Sequence, residues 1–424
     1  MKKHLSLLLA ILLTATTLFT VGCSSDTPTA GTATGTSSDS GPGEAPVTET
    51  VTEAETDDPN EKGYEGRSEF IDQLGGVSDT YKGTVSDESY ASASAAAEAY
   101  IREEIVGSAE ASQLSATSTG VLSDEAVSAL KIPAEFTNGI AAVEEMEVSF
   151  AVTESSDSAS APRLQVLASE IRNVTVYVIK YANDWKYYSP APVKGDTITK
   201  SYYDSVFNAE KYSNCTMTSE MKLVIDYKEI YQGQPDSAYM VTKNTRTVKY
   251  ENGKVLLTET VEMTMAGETM TQSISVYLEE EDGKILCYAQ SDGSDTWVES
   301  DLSALGFQSI KELTPFFDQY LDYTYFTKTN YGFALNHENA AQFIRETMAN
   351  NPAAGDLLNF KEMNIDMFAE YYVVDGVLTG MREDCDVSVN TTYEDLTVIM
   401  NMAIEAVTTC TDYGTTHIEK PVVN

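Results

Sequence analysis

The sequence predicts an α+β protein in which a smaller helix-plus-sheet domain precedes a larger antiparallel sheet. Between Cys215 and Trp297, apolar and polar residues alternate with a period of two, which is typical of strands with one buried face. The chain has 424 residues, more than one typical domain, so a second folded unit is expected. Turn-forming dipeptides separate the alternating segments, as in tight hairpins. These dipeptides are Asn252-Gly253, Ala266-Gly267, Asp282-Gly283 and Asp292-Gly293.

Within each alternating segment the apolar residues share one side. In the first segment they are Met217, Met221, Leu223, Ile225 and Tyr227. In a later segment they are Val255, Leu257, Val261, Met263 and Met265, and in the one after it they are Met270, Ile274, Val276 and Leu278. A sheet with one apolar face is therefore expected.

The composition is strongly acidic. The chain has 27 basic and 66 acidic residues, which gives a formal net charge of −39 at pH 7. Such a field repels nucleic acid and anionic lipid head groups, so nucleic acid is excluded as a partner. We interpret the excess of acid as a soluble, self-repelling surface rather than as a dedicated cation site.

Residues 1–22 have the layout of a secretory signal. Lys2 and Lys3 precede an apolar run that is too short to span a membrane as a stable helix. The run ends in Gly22 and Cys23, which resembles the lipobox of bacterial lipoproteins, although Thr20 stands where that motif usually has leucine. The resemblance implies that Cys23 carries diacylglycerol and palmitate-type acyl chains and anchors the protein to the extracytoplasmic face of the cell membrane. The alternative is an ordinary secreted protein with a chance cysteine.

Residues 23–65 are rich in Ser, Thr, Gly, Pro and acidic residues and have no hydrophobic periodicity. Such a segment cannot bury enough apolar surface to offset the entropy lost on ordering. We therefore predict a disordered tether between the anchor and the folded part.

Residues 66–205 are predicted to form the smaller domain. Helical spacing of alanines over 91–105 predicts a helix, and a second short helix is predicted over 123–130. Strands follow over 141–153, 163–181 and 185–188. This layout, which closes on a hairpin with Trp185, resembles the cone-shaped α+β domains related to nuclear transport factors.

Residues 206–424 are predicted to form the larger domain. Helices are expected within 302–321 and 336–348, where apolar residues recur at helical spacing. Strands are expected over 323–334, 365–374, 377–389 and 396–410, and Asp375-Gly376 joins two of them in a hairpin.

The Met- and Thr-rich strands, the segment around Trp297 and the tail at 411–421 together resemble the LolA/LppX-like group of bacterial lipoproteins. The resemblance covers about half of the chain. It implies a curved antiparallel sheet, an incomplete barrel, with helices on its open side. Several members of that group carry acyl chains between the sheet and the helices.

An apolar ligand would therefore contact the flexible, polarisable residues of the sheet. The predicted ligand-binding residues are Met217, Met221, Met263, Met265, Ile274, Met400 and Met402. The alternative is that these residues are ordinary core between sheet and helices. Both interpretations stay open at the level of sequence.

The motifs of common enzymes are absent from the sequence. It contains no P-loop, no Rossmann glycine set, no nucleophile elbow and no zincin motif. His337 and His417 lack neighbours at metal-ligand spacing. We therefore predict a non-enzymatic protein with no catalytic residue, no metal ligand and no cofactor.

Four cysteines remain besides Cys23, and all lie in the larger domain: Cys215, Cys287, Cys385 and Cys410. An exported location permits disulfides, and a bridge from Cys215 to Cys410 would join the first and last strands. Free buried thiols are the equal alternative.

The sequence thus predicts a membrane-anchored lipoprotein that binds a hydrophobic or amphipathic ligand without catalysis. Its partners would be the membrane, through the lipid anchor, and a lipid or other apolar ligand. The alternative is a structural or protein-interaction lipoprotein of the cell envelope, with a filled core and no small ligand.

Overall fold

Two antiparallel sheets dominate the computed structural model of the chain. It describes residues 67–76, 78–106, 110–153, 171–281, 284–291, 293–294, 296–301, 323–335, 364–393 and 396–422. The predicted signal peptide, Cys23 and the tether lie outside these residues, as do the helices predicted within 302–321 and 336–348. Helices are few in the described part, and none of them is long and apolar enough to cross a membrane.

The smaller sheet comes from the N-terminal part of the chain. Its strands are β1 (Thr84–Val85), β2 (Glu110–Val121), β3 (Ala142–Thr153), β4 (Ile171–Lys180) and β5 (Trp185–Ser189). They are hydrogen-bonded in the order β1-β5-β4-β3-β2. The helical elements in this part of the chain are α1 (Arg67–Gln73), α2 (Ala93–Tyr100), a π-helical turn (Ile101–Ile105), α3 (Asp124–Ala129) and a 3-10 turn (Ala134–Phe136).

Helix α2 packs on the smaller sheet and agrees with the helix predicted over 91–105. The side chain of Ser92 caps it by accepting a hydrogen bond from Ala95 N at 3.1 Å. Ala96 and Ala97 are fully buried against apolar residues of the sheet, so the small side chains bring the helix close to the strands. The second predicted helix is also present, as α3.

The larger sheet has eleven strands from the C-terminal part of the chain. They are β6 (Asn214–Tyr231), β7 (Gln234–Glu251), β8 (Lys254–Met265), β9 (Glu268–Glu281), β10 (Lys284–Ser291), β11 (Val298–Glu299), β12 (Phe326–Lys328), β13 (Gly332–Leu335), β14 (Asn364–Val374), β15 (Val377–Tyr393) and β16 (Leu396–Thr411). Their order is β11-β10-β9-β8-β7-β6-β16-β15-β14-β13-β12, and the sheet is not closed on itself. Helix α4 (Lys200–Val206) and the 3-10 turns Ala209–Tyr212 and Tyr323–Tyr325 complete this part.

Hairpin turns with two residues of positive φ join consecutive strands of the larger sheet. Asn252-Gly253 has φ values of 47° and 89°, and Ala266-Gly267 has 52° and 82°, as predicted. Asp375-Gly376 likewise joins β14 to β15 with 49° and 73°. The turn Gln232-Gly233, with 51° and 77°, was not predicted, and neither was the strand β7 that follows it. Asp282, Gly283 and Asp292 lie outside the described residues.

Helix α1 and Ser78 pack on the larger sheet, although the sequence assigned them to the smaller domain. Arg67 in α1 forms an ion pair with Glu370 of β14, which is fully buried. The ring of Phe70 meets the edge of Tyr372 with centroids 5.3 Å apart. The backbone of Ser78 then forms a parallel bridge with Val374. Segment 67–78 is therefore held by the larger sheet.

A buried carboxylate in the π-helical turn connects the two parts of the fold. Glu104 Oε2 accepts a hydrogen bond from Ser201 N at 2.8 Å, in the first turn of α4, and its Oε1 accepts one from the Ser201 hydroxyl. The hydroxyl of Tyr187 in β5 donates to the same carboxylate at 3.3 Å. The π-helical turn thus places the Glu104 carboxylate where it accepts hydrogen bonds both from β5 of the smaller sheet and from α4.

Replacement of Glu104 by alanine is expected to lower the free energy of unfolding by about 1–3 kcal/mol, because buried donors lose their acceptor. Chemical denaturation of the purified protein measures this change. The control is Glu98→Ala, which removes an exposed pair with Arg102 at 3.6 Å and is expected to cost less than about 1 kcal/mol. Equal effects of the two substitutions would contradict the assigned role of Glu104.

Candidate ligand-binding face

One face of the larger sheet carries its core, and we call it the inner face. Odd-numbered residues of β6 from Cys215 to Tyr227 point to this face, and their cross-strand partners in β7 and β16 share it. Most of these residues are buried in one hydrophobic cluster. Buried residues alternate with more exposed ones along β6 from Met221 to Tyr227, as the sequence predicted, and also along β7 from Met240 to Tyr250.

All seven predicted ligand-binding residues lie on the inner face. Four of them are buried within the hydrophobic cluster, and they are Met217, Met221, Met400 and Met402. Met263 and Ile274 are partly buried and pack against the cluster. Met265 differs, because it is 43% exposed at the end of β8. The structure therefore brings the predicted residues onto one surface, on which their side chains range from buried to exposed.

The turns Gln232-Gly233 and Ala266-Gly267 mark one end of the inner face, which we call the rim. At the rim Met263 pairs with Met270, and Met265 pairs with Met240. Met240 is buried, while Met270 is 59% exposed. Methionine side chains therefore continue from the buried cluster to the surface. Met240 was missed at the level of sequence because strand β7 was not identified.

A band of polar residues crosses the inner face between apolar regions, and we call it the polar belt. Four of its residues, Thr408, Ser219, Arg246 and Glu259, form one cross-strand row. Glu383 and Asn244 belong to the adjacent row, in which the apolar Ala406 and Met221 lie between them. Two contacts join its members: the Ser219 and Thr408 hydroxyls lie 2.9 Å apart, and Asn244 Nδ2 donates to Glu259 Oε1 at 2.6 Å.

The polar belt contains buried polar atoms that lack hydrogen-bond partners. Among the described residues no partner reaches Arg246 Nε, Asn244 Oδ1 or Glu383 Oε2. Most buried polar atoms in proteins are hydrogen-bonded, and leaving one unpaired costs about 1–3 kcal/mol. The belt was not predicted from the sequence, because its residues interrupt the apolar positions of each segment.

Glu383 is the most perturbed carboxyl group of the belt. Burial, together with a smaller effect of the charge of the neighbouring Asp384, raises the pKa of Glu383 to about 8. The Glu383 side chain is therefore largely protonated at neutral pH and presents an uncharged carboxylic acid to the inner face. An uncharged belt residue is compatible with the apolar surroundings.

The four cysteines of the larger domain are free and buried, which favours the thiol alternative over a disulfide. Burial raises the pKa of the Cys215, Cys385 and Cys410 thiols to about 12 in each case. Since the thiolate is the reactive form, these groups are inert at neutral pH. They belong to the core and not to a reactive site.

An open cavity of about 290 Å³ lies away from the inner face, near the junction of the two parts. Its lining is polar and consists of Asp79, Tyr81, Ala191, Pro192, Lys194, Lys328, Thr329 and Asn330. Asp79 and Lys328 form an ion pair at 3.0 Å, so two of its charges already neutralise each other. This cavity does not fit the predicted apolar ligand.

The described residues contain no cluster of His, Cys, Asp and Glu that could hold a metal ion. His417 instead contacts Glu251, with 3.1 Å between Nδ1 and Oε1, and His337 lies outside the described residues. No family model matches the chain. No curated protein matches it at a significant level either. The inner face is therefore the feature on which a functional proposal can be based.

The raised pKa of Glu383 predicts a pH dependence of stability. Its proton stays bound in the folded state up to about pH 8 but leaves the unfolded chain near 4.5. Between these values the unfolded state binds fewer protons, so stability falls as pH rises, by about 1.4 kcal/mol per pH unit from this group.

Glu383→Gln should remove this decline, so the variant should gain stability relative to the wild type as the pH rises from 5 toward 8. Denaturation curves across that range measure it. Glu220→Gln, on the exposed outer face of β6, is the matched control. Parallel pH profiles for the wild type and Glu383→Gln would contradict the assignment.

Proposed function

We propose that the protein is a membrane-anchored extracytoplasmic lipoprotein that binds a hydrophobic or amphipathic ligand on its inner face, without catalysis. Cys23 would carry the lipid anchor. The observation that carries the proposal is the cross-strand row Met402, Ile225, Met240 and Met265, which runs from the buried interior to the exposed Met265 at the rim, where Met270 is also exposed. It offers an apolar ligand a path from solvent to the interior.

Methionine suits such a path for a physical reason. Its unbranched thioether side chain adopts many rotamers and adapts to irregular apolar partners at small cost. Exposed large apolar residues at the end of a buried apolar face are typical of binding sites. Met265 and Met270 fulfil this description, since neither is covered by its strand neighbours.

The finer architecture belongs to the same proposal. An antiparallel sheet of eleven strands twists, and a large twisted sheet with one buried face tends to curl around that face. We therefore propose that the larger sheet is a curved, incomplete barrel. The helices predicted within 302–321 and 336–348 would lie on its open side, as in the LolA/LppX-like group.

A second candidate function is that of a structural or protein-interaction lipoprotein of the envelope with a filled core. Strand β2 favours it, because among the described strands β2 pairs only with β3 and leaves one edge of the smaller sheet unpaired. A free edge can accept a strand from a partner protein. Gln113, with φ of 54°, and the register shifts near it interrupt this edge, which limits the length available.

Native mass spectrometry of residues 24–424 tests ligand binding, with a denatured sample as reference. We expect extra mass that disappears on denaturation and reports the ligand class. Met263→Lys should reduce it, since the charge enters the inner face next to Thr242 and Met270. Thr264→Lys, on the outer face of the same strand, is the control. A bare mass after incubation with cell lipid extract would favour the filled core.

The anchor has its own test. Cys23→Ala should release the protein into the medium or leave an unprocessed precursor, because the acylated thiol would be missing. Cell fractionation and labelling with a radioactive fatty acid measure both effects. Unchanged membrane retention with unchanged labelling would refute the anchor and leave the binding proposal unaffected.

A further inference from the structure

Arg246 is a nearly buried arginine that forms no ion pair with any described residue. It lies on the inner face in the middle of β7, only 9% exposed, between Ser219 of β6 and Glu259 of β8. Within the described part of the chain its guanidinium forms no ion pair, and its buried Nε has no hydrogen-bond partner. Arginine is seldom buried unless it is paired, because an uncompensated charge in the interior is costly.

The acid nearest in register does not neutralise Arg246. Glu259 is its cross-strand partner, but the Glu259 carboxylate accepts the 2.6 Å hydrogen bond from Asn244 Nδ2 instead. Asn244 lies two residues before Arg246 on the same face of the strand. The Glu259 carboxylate is thus hydrogen-bonded to Asn244 and forms no ion pair with the Arg246 guanidinium.

Tyr250 supplies a second unpaired donor on the same face of β7. Its ring is buried, and its hydroxyl has no hydrogen-bond partner among the described residues. Tyr250 follows Arg246 by four residues on the same face of β7, about 13 Å along the strand, with the buried Val248 between them. Burial raises the pKa of Tyr250, and the charge of Arg246 opposes that rise. A guanidinium can only donate, and a phenol donates readily. What this pair lacks is an acceptor that carries negative charge.

We propose that Arg246 and Tyr250 bind the carboxylate of a long-chain fatty acid whose tail lies along the inner face toward the rim. The proposal rests on the proposed function and names the class of its ligand. A carboxylate accepts two parallel hydrogen bonds from a guanidinium and neutralises it in an apolar environment. A singly charged head group also suits a protein whose net charge of −39 repels multiply charged anions.

The geometry of the strand fits a tail of that kind. From Arg246 to Met240 at the rim, the extended strand β7 spans about 20 Å, comparable with a long acyl chain. The inner-face residues next to this stretch include Met263 and the buried Leu223 and Ile225. On β7 itself the inner-face residues of this stretch are Asn244 and Thr242, so the tail would lie on the apolar neighbours in β6 and β8.

The test compares two ligands of equal length, hexadecanoic acid and hexadecan-1-ol, on delipidated protein of residues 24–424, which retains every described residue. Calorimetric titration gives both affinities. Arg246→Met should weaken binding of the acid about 10- to 100-fold, the range for a hydrogen bond to a charged group. It should leave binding of the alcohol unchanged. Tyr250→Phe should weaken binding of the acid about fivefold and leave binding of the alcohol unchanged.

Two controls separate this effect from general damage. Lys243→Gln removes a positive charge from the exposed outer face of β7 and should change neither affinity. Arg246→Met should unfold at a higher temperature than the wild type when no ligand is present, because it removes a buried, uncompensated charge. A lower unfolding temperature would count against an unpaired guanidinium.

The outcomes distinguish the two proposals. Equal binding of acid and alcohol, with neither affected by Arg246→Met, overturns the carboxylate site and leaves apolar binding in place. Failure of the wild type to bind either ligand overturns the proposed function and the carboxylate site together. Selective loss of the acid in Arg246→Met and Tyr250→Phe supports both.

Discussion

The larger sheet depends on the pairing of its first strand with its last. Strand β6 pairs with β16 without interruption from Thr216 opposite Thr411 to Tyr231 opposite Leu396. This ladder joins β6–β11 to β12–β16, which would otherwise be two separate sheets. It also fixes the register, and a slip of one residue would turn every side chain of one half to the opposite face. The inner face exists as one surface because of this pairing.

The inner face combines two requirements that oppose each other. Apolar side chains on both sides of the polar belt bury surface and stabilise the fold, while the belt places polar atoms where hydrogen bonds are missing. Buried polar atoms are normally hydrogen-bonded, and natural proteins depart from this rule mostly at functional sites. The protonated Glu383 reduces the cost at one end of the belt, whereas Arg246 places a guanidinium in its middle.

The sequence contained the information for single elements but not for their contacts. Alternation and turns with glycine located most strands, because both signals are local. The turn at Gln232-Gly233 escaped, since glutamine is not typical of positive φ. The polar belt could not be predicted either, because the positions of Arg246 and Glu383 relative to each other follow from β6 and β16, which are distant in the sequence. For the same reason nothing local indicated that α1 packs on the larger sheet.

The contacts of α1 have a mechanical consequence. Arg67 and Phe70 attach the start of the described chain to β14, and residues 78 and 197 both form bridges with the larger sheet. The five-stranded sheet is therefore an insertion that leaves the larger domain and returns to it. Tension that arrives along the chain from the N-terminal side is borne by the eleven-stranded sheet, through the buried ion pair with Glu370. The five-stranded sheet comes after these contacts in the chain, so the tension would not be transmitted through it.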